Sequence, residues 1–213
     1  MFEPNVEKVL SLIKETDVVL DIGAWARPFN RANYVVDAEP YETRRTTNAQ
    51  GGGAERVTKA TWIQRDLCDR APFPFGDKQF DFVICSHTLE DIRDPLWVCG
   101  EMIRVGKRGY IEVPSRVLET CVGVQSPRFA GYSHHRWLID IEGNQISFLM
   151  KTHRLHESAK YHLTERFLKK LPIDRHFQWL FWEGTFEYRE LRPWPMEEEL
   201  ERFVKAHQRP GWW

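Results

Sequence analysis

The sequence predicts an α/β fold, a Rossmann-like doubly wound, mostly parallel sheet with an antiparallel edge hairpin and an inserted hairpin and helix as a lid. Three observations predict it. Short apolar runs too continuous for half-solvated strands recur through the first half of the chain. A helical or looping crossover separates each from the next. Each run also stops at or beside a polar residue, as strands do where they open onto a ligand crevice.

In chain order, Val6, Val9, Leu10 and Ile13 share one face of a helix over about residues 5–14. Asp17 opens the run Val18, Val19, Leu20 and Ile22, which contains Asp21 and suits a central strand covered on both faces. Residues 34–36 form a second strand ending at Asp37, residues 61–65 a third ending before Asp66, and residues 80–85 a fourth ending before Ser86. Gly51, Gly52 and Gly53 cannot hold a helix cheaply and predict a weakly ordered loop over 50–54. Pro95 starts a helix that runs to Val105 with Gly106 as its cap. Residues 109–113 form a fifth strand stopped by Pro114.

After Pro114 the pattern changes. Residues 137–141 and 145–150 flank Gly143 and Asn144, a turn pair for a hairpin. A helix is expected over 164–171, ended by Pro172. Residues 177–182 and 185–191 flank Glu183 and Gly184 as a second hairpin, expected to complete the sheet as its antiparallel edge. An acidic helix over 196–207 follows. The domain expectation is one domain over 1–213, with a substrate-recognition insertion at about 116–162.

Composition narrows the function classes. With 213 residues, 42% of them hydrophobic, the chain can build a core without staples. No apolar run approaches the roughly 18 residues of a membrane span, and the acidic start is unlike a signal peptide, so a cytoplasmic protein is expected. Cys68, Cys85, Cys99 and Cys121 are too widely spaced for a paired zinc signature. Trp179, Trp182, Trp194, Trp212 and Trp213 crowd the end of the chain and suggest a packed aromatic subdomain or an interface, with a homo-oligomer as one outcome. The middle of the chain is modestly basic, but the acidic run 197–201 argues against a nucleic-acid stripe.

Asp37 lies at a strand end 16 residues after Asp21, where a carboxylate can accept hydrogen bonds from both hydroxyls of a ribose. An ordinary loop-start aspartate is the plainer alternative. The segments VVLDIGAWARPF, YVVDAEP, QRDLCD and FDFVICSHTLEDIRDP, in this order and spacing, resemble class I S-adenosylmethionine-dependent methyltransferases over about residues 17–114. SHTLEDIRDP is especially similar to the SHxLEHxxDP form of the family's fourth block. The resemblance implies S-adenosyl-L-methionine as cofactor. It implies that Asp21, Gly23, Ala24 and Trp25 hold its methionine part, Asp37 and Ala38 its ribose, Asp66 and Leu67 its adenine, and that Ser86 lines the methyl-donating site. Of the family's GxGxG turn only Gly23 is present, followed by Ala24, Trp25, Ala26, Arg27 and Pro28, which implies a stiffer, reshaped loop. The same loop disfavours a nicotinamide dinucleotide, whose pyrophosphate wants GxGxxG opening into a helix.

Methyl transfer is an in-line displacement, so the protein mainly aligns donor and acceptor and removes a proton where needed. His87, after the fourth strand, is a candidate to face the methyl group, with a purely structural hydrogen-bonding role as its alternative. In the GYSHHRW run, Tyr132 and Arg136 are substrate-binding candidates, and His134 and His135 are catalytic ones. A packed lid is the alternative there. His153 and His156 with His134 or His135 form no compact ligand signature, so no metal is expected. The expected activity is methylation of O or N on a small polar molecule such as a sugar or anionic metabolite. The rivals are a methyltransferase of RNA or protein, and a non-catalytic interaction module that keeps the fold.

Overall fold

The structure is a computed structural model that describes residues 1–44 and 49–208. It divides the chain into two compact units, residues 1–113 with 179–187, and residues 114–178 with 188–213. The segment 116–162 falls wholly within the second unit.

The first unit is built on a sheet in the order β3-β2-β1-β4-β5-β8. Its strands are β1 (Val19–Ile22), β2 (Tyr34–Asp37), β3 (Trp62–Gln64), β4 (Phe82–Ser86), β5 (Arg108–Pro114) and β8 (Phe177–Glu183). The pairs β1–β2, β2–β3, β1–β4 and β4–β5 are all parallel. The order reverses between β1 and β4, which makes that gap the topological switch point. Continuous apolar runs produce this sheet because both faces are covered. Val19, Leu20, Ile22, Val35, Val36, Phe82, Val83, Ile84 and Cys85 are all at most 1% exposed, each contributing roughly 1.5–3 kcal/mol of burial if large and aliphatic or aromatic.

Among the described residues, two α-helices belong to this unit. Helix α1 (Glu3–Leu12) starts two residues earlier than expected because proline fits its first turn. Helix α2 (Pro95–Val105) has the expected bounds, with Asp94 as N-cap accepting the Trp97 N–H at 3.2 Å and Gly106 as C-cap. Gly106 is needed for space rather than for a left-handed turn, since a Cβ there would lie 2.5 Å from Val83 Cγ2. Gly51, Gly52 and Gly53 all adopt positive φ, yet Gln50 before them is tied by hydrogen bonds to Pro28 and Arg27 carbonyls at 3.0 and 3.1 Å.

The second unit contains a sheet in the order β6-β7-β9. Strands β6 (Trp137–Glu142) and β7 (Gln145–Met150) form the expected antiparallel hairpin about Gly143 and Asn144. Helix α4 (Glu165–Leu168) is shorter than expected, and α5 (Met196–His207) matches its expectation. Helix α3 (Arg116–Glu119) was not anticipated. Arg116, 4% exposed, donates to Asp140 at 2.8 Å and Glu199 at 2.9 Å and lies 4.1 Å from the Phe203 ring centroid, tying α3, β6 and α5 together.

The second hairpin requires a correction. Strand β8 joins the six-stranded sheet, but β9 (Glu187–Leu191) pairs in the three-stranded sheet, so the two do not form one edge hairpin of the parallel sheet. Local turn chemistry at Glu183 and Gly184 was legible, but the partner of each strand is chosen by long-range burial. Among the described residues, the tryptophans near the end of the chain differ widely in exposure. Trp182 is 4% exposed, Trp194 is 94% exposed, and Trp212 and Trp213 lie outside the described residues. All four cysteines are buried as free thiols. No helix among the described residues is long and apolar enough to cross a membrane.

Candidate functional site

At the switch point of the first unit lies a cavity of about 250 Å³, lined by Met1, Asp21, Gly23, Ala24, Trp25, Ala26, Arg27, Gln50, Ile84 and Ser86. The loop after β1 shapes it. Gly23 takes φ +71, and a Cβ there would stand 2.2 Å from Thr88 Oγ1, so only glycine lets this turn pack against the segment after β4. Pro28 and the tight turn at Ala24 to Arg27 replace the helix that a glycine-rich loop would open.

The two strand-end acids pin this loop. Asp21 Oδ2 accepts the Phe29 N–H at 2.8 Å, and Asp37 Oδ2 accepts the Trp25 N–H at 2.8 Å while its Oδ1 accepts the Glu39 N–H at 2.8 Å. Burial pushes the Asp21 carboxyl up to about 7, against the Phe29 hydrogen bond that lowers it. Burial also raises Asp37, opposed by the Glu39 and Trp25 N–H groups. The Trp25 indole N–H donates to Thr43 Oγ1 at 3.2 Å, which anchors its ring on the loop. Ser86 lines the same cavity, and its hydroxyl oxygen is buried without a hydrogen-bond partner. An orphaned hydroxyl lining a cavity fits a ligand whose polar group completes it.

The structure thus gathers Asp21, Gly23, Ala24, Trp25 and Ser86 around one cavity. Asp37 sits behind the loop and does not line it, and neither do Ala38, Asp66 or Leu67. Asp66 instead accepts the Cys68 N–H at 2.9 Å and pairs with Arg93 at 2.7 Å, while Leu67 is buried and Ala38 is exposed.

His87 follows β4 at φ +55, a left-handed conformation that is uncommon for a non-glycine residue and is held here by its own contacts. Its N–H donates to the Glu112 carbonyl at 2.9 Å, Nε2 lies 3.0 Å from Glu112 Oε1, and Nδ1 lies 3.5 Å from Glu90 Oε1. Burial alone would lower its pKa, but the two carboxylates outweigh it and raise it to about 9. That geometry suits an imidazolium held between Glu112 and Glu90. Glu112 is fully buried and also accepts the Phe2 N–H and the Tyr110 hydroxyl. Burial opposes its charge, yet the His87, Tyr110 and Phe2 donors together hold it down at about 2. Sequence reading missed Glu90 and Glu112, although a lone carboxylate inside an apolar strand, as in YIEV, is a signal for a buried polar hub.

In the second unit, the Tyr132, His134 and His135 rings cluster at centroid distances of 4.5–5.7 Å. His134 and Arg136 are exposed, whereas the His135 side chain is 7% exposed and its Nδ1 lies 2.9 Å from Glu119 Oε1. His153 pairs with Glu157 at 3.3 Å, and His156 Nδ1 accepts the Ala130 N–H at 3.3 Å, so these two imidazoles are engaged separately.

A family model described as "Methionine biosynthesis protein MetW" matches residues 3–145. The chain belongs to this family. The expected kinship with methyltransferase-like proteins holds at the level of family and fold. Among solved structures, the chain is similar to a SAM-dependent methyltransferase from Aquifex aeolicus, with 19% identity, 53% of this chain and 65% of that one covered, and a TM-score of 0.33. It is also similar to an S-adenosylmethionine-dependent methyltransferase from Mesorhizobium loti, with 13% identity, coverage of 70% and 63%, and a TM-score of 0.40. A third is the YcgJ protein from Bacillus subtilis, with 18% identity, coverage of 53% and 51%, and a TM-score of 0.34. The chain therefore spans between half and two thirds of the length of these structures. No curated protein matches it significantly.

Proposed function

We propose that the chain is an S-adenosylmethionine-dependent methyltransferase acting on O or N of a small polar molecule. The observation that carries this reading is the cavity at the β1–β4 switch point, where Asp21, the Gly23–Arg27 backbone and the unpartnered Ser86 hydroxyl converge. S-adenosylmethionine would supply an electrophilic methyl on its sulfonium. Asp21 and the loop backbone would hold its methionine part, Ser86 would offer a hydrogen bond beside the methyl, and Asp37 would act through the loop that it pins. In the second unit, the Tyr132, His134 and His135 rings and the exposed Arg136 are the proposal's candidates for contacting the acceptor. Work in the cytoplasm, and a homo-oligomer through the tryptophans near the C-terminal end, belong to the same proposal. The family's description supports an acceptor drawn from small-molecule metabolism.

Isothermal titration with S-adenosylhomocysteine tests the cofactor without the acceptor. Micromolar binding that is weakened by Ser86→Ala supports the proposal, and no binding removes it. One observation favours a second reading. Asp21 and Asp37 already spend oxygens on the loop's own N–H groups, as they would in a fold kept as a non-catalytic interaction module. Absence of binding would promote that reading.

A further inference from the structure

The parallel ladder between β1 and β4 ends with the pair Ile22 and Cys85. The next residue of each chain, Gly23 and Ser86, lines the switch-point cavity. Past that last pair, three carbonyl oxygens converge on one side chain. Thr88 Oγ1 lies 3.3 Å from each of the Ile22, Gly23 and Ser86 carbonyl oxygens, and Thr88 is 5% exposed. The fit is equally close on the carbon side. A Cβ at Gly23 would stand 2.3 Å from Thr88 Cγ2 and 2.8 Å from its Cβ.

A threonine hydroxyl has one hydrogen to donate. Carbonyl oxygens that face a common point carry like partial charges, and away from water each is costly to leave without a donor. The Thr88 hydrogen stands where it serves all three. Gly23 is thereby held from both sides, its N–H donating to the Val36 carbonyl at 2.9 Å and its carbonyl accepting from Thr88. Ser86 is held through its main chain, by the pairing with Glu112 of β5 on one side and by Thr88 on the other, while its own hydroxyl has no hydrogen-bond partner. The place of that hydroxyl in the cavity therefore follows from where the main chain is held.

We infer that Thr88 is a positioning residue: its hydroxyl carries the tie between β1 and β4 past their last ladder pair and fixes the spacing between the Gly23 turn and Ser86, the two walls between which a ligand's polar groups would be held. A methyl in place of the hydroxyl keeps the shape of the side chain but leaves the three carbonyl oxygens facing one another, so the walls shift while the sheet below them stands. The inference deepens the cofactor reading and rests on it for the identity of the ligand, but the state of the Thr88 hydroxyl can be read without any ligand.

Calorimetric titration of the full chain with S-adenosylhomocysteine, for the unmodified protein and for Thr88→Val and Thr88→Ser, tests the inference. Thr88→Val is expected to bind about tenfold more weakly, the scale of one lost hydrogen bond. Thr88→Ser keeps the hydroxyl and is expected to restore most of the affinity. Because Thr88→Val misplaces the hydroxyl that Ser86→Ala removes, the two losses should not add in the double variant. A folded Thr88→Val with unchanged affinity, a Thr88→Ser as weak as Thr88→Val, or additive losses would each overturn the inference. Proton NMR of the unmodified, ligand-free chain supplies the second reading. A buried and bonded Thr88 hydroxyl proton should exchange slowly enough to be observed, with cross-relaxation to the Gly23 α-protons, and a hydroxyl proton lost to exchange with water overturns the inference whether or not any variant folds. Absence of S-adenosylhomocysteine binding beside a slowly exchanging Thr88 hydroxyl would remove the cofactor reading alone.

Discussion

Asp37 shows how a single carboxylate can serve a site from behind. Its two oxygens hold the Trp25 and Glu39 N–H groups, so its removal releases the loop that lines the cavity. Asp37→Ala is expected to weaken S-adenosylhomocysteine binding by on the order of 2 kcal/mol, about 30-fold, measured by calorimetry. An unchanged affinity would take Asp37 out of the site. His87 gives a pH signature instead. Its folded pKa of about 9 lies above the ordinary 6.5, so its contribution to stability is complete below pH 6.5 and is lost as pH rises through 9. The melting temperature should fall across that window, and His87→Gln should remove that part of the slope. Parallel slopes for the two proteins would deny His87 the role.

Elements form here where local chemistry and burial agree. Helix α2 could be read to its bounds because Pro95 and Gly106 punctuate an apolar-faced run, and the β6–β7 hairpin because Gly143 and Asn144 fill its turn. The loop after β1 was legible as irregular from Trp25 and Pro28, but its closeness to Thr88 was not, because that neighbour lies 65 residues away. Gly23→Ala would force a Cβ onto the Thr88 side chain in a left-handed turn, and a loss of about 1–3 kcal/mol in urea denaturation is expected. A loss below 0.5 kcal/mol, the scale of neutral surface changes, would mean the turn can relax.

The whole chain divides its work between two compact units, each with its own sheet and buried polar hub. Glu112 with His87 serves the first and Glu119 with His135 the second. A ligand that binds only the folded first unit raises stability by mass action. S-adenosylhomocysteine at about 100 times its Kd should add about 2.7 kcal/mol and raise the transition of that unit by about 5–10 °C, read by calorimetry. No shift at saturating ligand would count against a cofactor site at the switch point.

The strands of the first half, the polar residue at each strand end, the capped helix α2 and the GYSHHRW run with its imidazoles all follow from the sequence alone. They depend on periodicity, turn chemistry and residue type within a few positions of one another. Only the tertiary structure decided that Asp21 and Asp37 hold the loop's N–H groups, that β8 and β9 part into different sheets, and that Glu112 and Glu119 lie beneath His87 and His135. Those outcomes depend on which distant groups are buried together, where an unpaired charge or N–H is costly, and no local pattern records that choice.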